Sequence, residues 1–167
     1  MVKTILKVVS VLFLVVIGLF VAAFLWMGSI GGYFKEHKHD EALIAHMPAY
    51  QALLDIYNED RAGGMESPRE LFNQGRISAE RWARYSALYE TIGLSGEPRV
   101  EPDGSVWFTS SVRSLGTAGE MKGLVYRPDT RAPLYDSLDQ PPPGLVPDVN
   151  ALRRINDDWY VFYRYTQ

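Results

Sequence analysis

Residues 8–32 read VVSVLFLVVIGLFVAAFLWMGSIGG, twenty-five consecutive positions without a charge. A run this long and apolar restricts a chain more than anything else it carries. As a helix it rises about 37 Å, against roughly 30 Å of hydrocarbon in a bilayer. Lipid offers no hydrogen bonds to the backbone, so a helix, which satisfies its own amides, is the form in which one such segment spans. Trp26 near one end and Tyr33-Phe34 just beyond it suit an aromatic interface belt. Residues 1–34 are therefore predicted to be an N-terminal transmembrane anchor that contacts the lipid bilayer through residues 8–32.

A cleaved signal peptide is the competing reading, because Lys3 and Lys7 make a positively charged n-region. The apolar core from Val8 to Leu25 is longer than a usual signal h-region, and only Ser29-Ile30-Gly31 resembles a cleavage motif. Cleavage there would release a secreted soluble domain. Flanking lysines are nearly balanced, with Lys3 and Lys7 before the run and Lys35 and Lys38 after it. A very short tail ahead of a signal-like run favours an N-terminus inside and a C-terminal domain on the outer side of the cytoplasmic membrane. Gly18 and Ala22 have the small-xxx-small spacing that lets two anchors approach, as do Gly28 and Gly32. Such spacings are frequent by chance, and anchor pairing is not the favoured reading.

Beyond the anchor the chain is acidic. From residue 35 onward there are 15 basic and 20 acidic side chains, a net −5. An acidic surface without a basic stripe argues against nucleic acid as a partner. Cysteine is absent from the 167 residues, which removes disulfides, thiolate ligands and cysteine nucleophiles. The hydrophobic share of 47% is ample for a packed core.

Residues 35–47, KEHKHDEALIAHM, read as a solvated juxtamembrane neck running into a helix start, and residues 48–167 as one α+β domain. Leu43, Ile44, Met47, Tyr50, Leu53, Leu54 and Tyr57 form a helical stripe, with a kink or restart expected at Pro48. Ser67-Pro68-Arg69-Glu70 is a capping box opening a short helix. Ser78 caps the next helix, whose stripe is Trp82, Tyr85, Tyr89 and Ile92, and Gly93 closes it. The pattern then changes period. Residues 99–101, a Pro-Asp-Gly-Ser turn at 102–105 and VWFTSSV at 106–112 read as a hairpin. GLVY at 123–126, ALRRI at 151–155 and WYVFYRYT at 159–166 read as further strands, the last two joined by an Asn156-Asp157-Asp158 turn. Along the last strand Trp159, Val161, Tyr163 and Tyr165 face one way and Tyr160 and Phe162 the other, so both faces should be covered. Residues 128–148 hold six of the ten prolines, which suits an ordered surface crossing and not an interior strand. The fold class expected is α+β: a transmembrane helix, two or three helices, then an antiparallel sheet of four or five strands.

EMKGLVYRPDTRAPLYDSLD followed by RRINDDWYVFY resembles the C-terminal part of a loose group of small bacterial envelope proteins with a single N-terminal anchor and an aromatic final strand. The resemblance spans about the last third of the chain. It implies bacterial origin and an envelope location, and it carries over no function.

Catalytic signatures are thin. His37, His39 and His46 are the only histidines. On a helix His37 and His39 fall on different faces, and His39 and His46 stand about 10 Å apart, so they do not converge on one metal ion. Ser110, Ser111 and Ser114 lie near Lys122 in sequence, but no G-x-S-x-G or S-x-x-K motif accompanies them. Residues 116–122 lack the contiguous Gly-Lys-Ser/Thr of a phosphate loop. No catalytic residue, cofactor or metal site is therefore assigned. The expected role is a membrane-anchored binding or accessory module meeting an envelope protein partner, with Arg127, Arg131 and Tyr135 of the Pro-rich crossing as candidate contacts. The alternative is a tethered periplasmic hydrolase using carboxylates or a Ser–Lys pair.

Overall fold

The computed structural model describes residues 13–23, 36–115, 118–129 and 131–167. Residues 13–23, in the middle of the apolar run, form helix α1. Eleven helical residues rise about 16 Å, and among the described residues no helix is long and apolar enough to cross a membrane. The rest of the run lies outside the described residues, as do Lys3, Lys7, Trp26, the Ser29-Ile30-Gly31 motif, Gly32, Tyr33, Phe34 and Lys35. The described part of α1 is exposed throughout, Phe20 to 79%.

Four helices precede the sheet: α2 (Asp40–Ile44), α3 (Met47–Arg61), α4 (Pro68–Asn73) and α5 (Ala79–Ile92). The count exceeds the two or three expected because the chain breaks at Ala45-His46 and restarts with Pro48 in the first turn of α3. Proline has no amide hydrogen to give, and the first turn is where none is needed. The Ser67 capping box is complete, with Ser67 Oγ accepting from the Glu70 amide and the Glu70 carboxylate accepting from the Ser67 amide. Ser78 caps α5 by accepting from the Arg81 amide at 3.1 Å. Gly93 ends it at φ 59°, and Leu94 N–H returns to Tyr89 O at 3.0 Å.

Five strands follow: β1 (Arg99–Val100), β2 (Val106–Leu115), β3 (Ala118–Tyr126), β4 (Asn150–Arg154) and β5 (Trp159–Thr166). All neighbours are antiparallel, in the order β1-β2-β3-β5-β4. The fold is α+β with a five-stranded antiparallel sheet. Residues 128–148 carry the chain past β5 to the far edge, where Pro133 O and Tyr135 N bond Leu152 and shield β4. β3 starts at Ala118, five residues before the GLVY segment read from sequence. Its first half has charged Glu120 and Lys122 on the inward-facing positions, a pattern that hides a buried strand.

The sheet divides the apolar residues as the alternation of β5 requires. Trp159, Val161 and Tyr163 join Tyr50, Leu53, Leu54, Tyr57, Tyr85, Phe108 and Leu124 in the core beneath the helices. Tyr160 and Phe162 join Val125, Leu152, Trp107 and Met121 on the opposite, outer face. The stripe of α5 is core: Tyr85 and Ile92 are buried, and Trp82 stacks on Phe72 at 5.5 Å. Gly123 lies against the β-bulge between Thr109 and Ser111, where an added Cβ would stand 2.0 Å from Phe108 O.

Candidate functional site

Polar chemistry concentrates in two places, one on each face of the sheet. The first is the helix-side end of β2, β3 and β5, and the segment 36–40 covers it. This segment is not a solvated neck. Lys38 Nζ donates to Ile92 O at 2.7 Å and Gly93 O at 3.0 Å, satisfying orphan carbonyls at the end of α5. Asp40 is wholly buried and pairs at 2.7 Å with Lys122 of β3, also wholly buried. The second Asp40 oxygen accepts from Leu138 N at 2.8 Å and Arg153 Nη1 at 3.0 Å. Asp139 completes the cluster. Its Oδ1 accepts from the Asp40 amide at 2.6 Å and from Lys122 Nζ at 3.3 Å. Burial would push the Asp139 carboxyl up, but the Asp40 amide and Lys122 outweigh it and hold the group below its ordinary value.

Beside this cluster His37 sits between two strands, its side chain 7% exposed. Nδ1 is 2.8 Å from Ser111 Oγ, and Nε2 is 3.2 Å from Glu120 Oε2, which Arg113 also approaches at 3.3 Å. Burial lowers the imidazole pKa more than Glu120 raises it, which disfavours the protonated ring. The ring edge meets Tyr163 at 5.6 Å. Burial, with Glu120 near by, pushes the Tyr163 phenol up, and its buried hydroxyl has no partner in hydrogen-bonding geometry among the described residues.

This arrangement bears on the chemistries considered from sequence. Neither Ser110 nor Ser111 is bonded to Lys122. Lys122 Nζ is held by Asp40 and Asp139, Ser110 Oγ is bonded to Tyr50 OH, and Ser111 Oγ to His37. An ammonium between two carboxylates has no lone pair with which to take a serine proton. Asp40 and Asp139 are likewise committed to cations and amides, and of the two only Asp139 lines the neighbouring cavity. Ser111, His37 and Glu120 do form a hydroxyl–imidazole–carboxylate chain. The cavity of about 480 Å³ next to it is walled by Glu36, His37, His39, Arg113, Asp139 and Tyr163 among others, but not by Ser111. A molecule entering there meets the imidazole and not the hydroxyl. His39 reaches Asp139 at 3.4 Å and His46 sits at the N-cap of α3. Among the described residues no group of three His, Asp or Glu side chains could hold a metal ion.

The second place is the outer face, which the helices leave open. A cleft of about 610 Å³ is lined by Arg99 and Trp107, by Asp129 and Arg131 of the Pro-rich crossing, and by Asn150, Leu152 and Arg164. Residues of both edge strands line it, so the outer face curls into a trough. Trp107 is held in orientation: its Nε1–H donates to Ser105 Oγ at 2.8 Å, and that hydroxyl donates to Asp103 Oδ1 at 2.6 Å. Phe162 meets Trp107 edge-on at 4.8 Å. Of the residues singled out in the sequence, only Arg131 reaches the cleft, where it is bonded to Asp129. Arg127 is exposed, bonded to Asp158 at 2.7 Å and over the Tyr126 ring at 5.0 Å. Tyr135 packs against the core beside β4. Arg99, Asn150 and Arg164 carried no sequence signal beyond their place on strands, since only pairing order shows that β1 and β4 share a trough.

The chain matches no family model, no curated protein and no solved structure.

Proposed function

We propose that the chain is a single-pass protein of the bacterial cytoplasmic membrane. Its N-terminus is inside, residues 8–32 form the anchor, and the α+β domain on the outer side acts as a binding or accessory module. The observation that carries the binding part is the outer-face cleft, a concave site of ordinary small-molecule size, about 300–1,000 Å³, whose walls include a pre-oriented tryptophan. The charge-free run and the exposed apolar side chains of α1 support the membrane part. A domain tethered to a membrane meets its partners at raised effective concentration, so a modest site suffices.

Topology and binding are tested in one strain. A reporter fused after Gln167 should be active only outside the cytoplasm, and the protein should resist carbonate extraction with residues 1–32 still attached. A photocrosslinking residue replacing Arg131 should capture a defined envelope component, and the same residue replacing Arg84 on the helix side should not. Cytoplasmic reporter activity, a mature N-terminus near Gly32, or identical capture from both positions would reject the reading.

One observation favours a second reading. The Ser111–His37–Glu120 chain has the connectivity of a nucleophile, its base and an orienting carboxylate. A tethered serine hydrolase should be labelled by a fluorophosphonate at Ser111, and labelling lost in Ser111→Ala would establish it over the binding module.

A further inference from the structure

Of the three histidines only His37 has a buried ring. Its two nitrogens have fixed roles. The Glu120 carboxylate only accepts, so Nε2 carries the ring hydrogen and donates it across 3.2 Å. Nδ1 of the neutral ring is then an acceptor, and the Ser111 hydroxyl donates to it at 2.8 Å. Among the described residues Ser111 Oγ has no other hydrogen-bond partner. A proton added at Nδ1 turns that atom into a donor, so the bond must reverse and the Ser111 hydrogen loses its acceptor. Leaving a buried donor unpaired is unfavourable.

The charges around the ring do not offset this. Arg113 of β2 already approaches Glu120 at 3.3 Å, so an imidazolium would be a second cation on one carboxylate. Lys122 of β3 adds positive charge near by, held by Asp40 and Asp139. Asp139 of the crossing faces the same cavity, but its carboxylate serves Lys122, the Asp40 amide and His39. Tyr163 of β5 meets the ring edge-on, and burial pushes its phenol up, so it brings no charge. Within the segment itself, Glu36 and His39 line the cavity. The docked ring therefore binds a proton less readily than a ring in water.

The ring is also a wall. His37 lines the cavity of about 480 Å³, whereas Ser111 does not. Glu36 before it is exposed, while Lys38 after it is fastened to the end of α5 and Asp40 to Lys122. Residues 36–37 are free to leave the sheet with Lys38 and Asp40 still in place.

We propose that residues 36–37 are an acid-opened latch: a proton taken up at His37 Nδ1 breaks the ring's bond with Ser111, and the segment swings away about Lys38, uncovering Ser111 and Glu120 beside the cavity. A ring in water titrates at about 6.5. Above that pH the latch is closed. Below it, each further unit shifts the balance toward the open form by up to about tenfold, until the docked ring itself titrates. Glu120 is not stranded by the opening, because Arg113 stays with it. The latch depends neither on a ligand of the outer-face cleft nor on residues 8–32 lying in a bilayer.

The chain has no cysteine, so a pair of spin labels can be placed without background. Glu36→Cys and Arg84→Cys, the latter exposed on α5, are labelled in the full chain in detergent micelles. Their distance distribution is measured at pH 7.5 and 5.0. One distance is expected at pH 7.5, and at pH 5.0 a second, broader population should grow about fivefold or more. His37→Gln keeps a donor and an acceptor but takes no proton, and it should hold the single distance at both pH values. His39→Gln should behave as wild type, and the near-ultraviolet circular dichroism should not change between the two pH values. A single distance throughout in the wild type overturns the latch. So does a second population that appears at pH 5.0 in His37→Gln, that vanishes in His39→Gln, or that comes with loss of the near-ultraviolet signal. Should His37→Gln be open at both pH values, the ¹H–¹³C signals of the wild-type His37 ring decide the matter. Their titration midpoint must coincide with that of the distance change, and a mismatch sinks the latch.

Discussion

Asp40 and Glu41 are adjacent carboxylates that bind the same guanidinium, and they should differ sharply in what they contribute. Arg153 gives Nη1 to Asp40 at 3.0 Å and Nη2 to Glu41 at 2.9 Å. Asp40 is 0% exposed, with Lys122 against it at 1%; Glu41 is 74% exposed. Removing one partner of a buried pair leaves an uncompensated charge in low dielectric, a loss of roughly 3–5 kcal/mol. Asp40→Asn should sit near 3 kcal/mol, the lower end, because Asp139 remains 3.3 Å from the stranded Lys122 and the Leu138 amide keeps an oxygen acceptor. Glu41→Gln removes a solvent-screened contact worth roughly 0–1 kcal/mol. For a domain of this size about 4 °C of melting temperature accompanies each kcal/mol. The expected shifts are then roughly 12 °C for Asp40→Asn and under 4 °C for Glu41→Gln. The assay is near-ultraviolet circular dichroism of the full chain in detergent micelles, at 0.15 and 1 M salt. High salt should erase the Glu41 effect and leave the Asp40 effect, because buried pairs are screened little. Equal shifts for the two variants, or an Asp40 effect abolished by salt, would refute the claim that burial sets the difference.

Two further outcomes follow from the same end of the sheet. The folded-state pKa of His37 lies below its ordinary 6.5, so on acidification the unfolded chain binds a proton before the folded one does. Stability is therefore full above about pH 6.5 and falls as pH drops toward the lowered folded value. His37→Gln should flatten that part of the urea-midpoint profile between pH 7.5 and 5.5, and an unchanged slope would assign it to other groups. Gly123→Ala should destabilise by about 3 kcal/mol, because the new methyl meets the Phe108 carbonyl, which cannot yield without breaking the β2–β3 ladder, and also crowds the Phe162 ring. A melting temperature within a few degrees of wild type would show that the bulge relaxes.

The helices and most of the sheet were legible because their signals are local. Ser67, Ser78 and Gly93 act on amides within five residues of themselves, and β5 writes both of its faces in alternate positions. What misled was polarity taken as exposure. His37, Lys38 and Asp40 read as a wetted neck, yet their partners Ser111, Ile92 and Lys122 stand 54 to 82 residues away, and charge on both sides is what lets each side be buried. The same substitution of ionic for apolar contacts hid the first half of β3. Arg131 was reachable by reasoning from residue type on a long loop, whereas Asn150 and Arg164 share the cleft only because β4 pairs with β5 in a register that sets them side by side.

The docked segment would have a mechanical consequence for a chain anchored through residues 8–32. On the reading that residues 8–32 occupy the bilayer, only four peptide units separate Gly32 from Glu36, a reach of at most about 14 Å. From residue 37 onward the chain is fastened: His37 to Ser111 and Glu120, Lys38 to the end of α5, Asp40 to Lys122 and Arg153. On that reading the end of the sheet that carries Ser111, Glu120 and Lys122 stays close to the membrane surface. A flexible neck would let the domain sample all orientations; a fastened one limits which surfaces face outward. The ion pair is a costly way to hold a short segment, since apolar residues of similar size often stabilise as well or better. Replacing Asp40 and Lys122 together, by Leu and Met, separates the two roles. Stability should stay near that of wild type while the registry of residues 36–40 on the sheet loosens, visible as faster hydrogen exchange at the Leu138 and Asp40 amides. Unchanged protection of those amides in the double variant would mean that packing alone sets the registry.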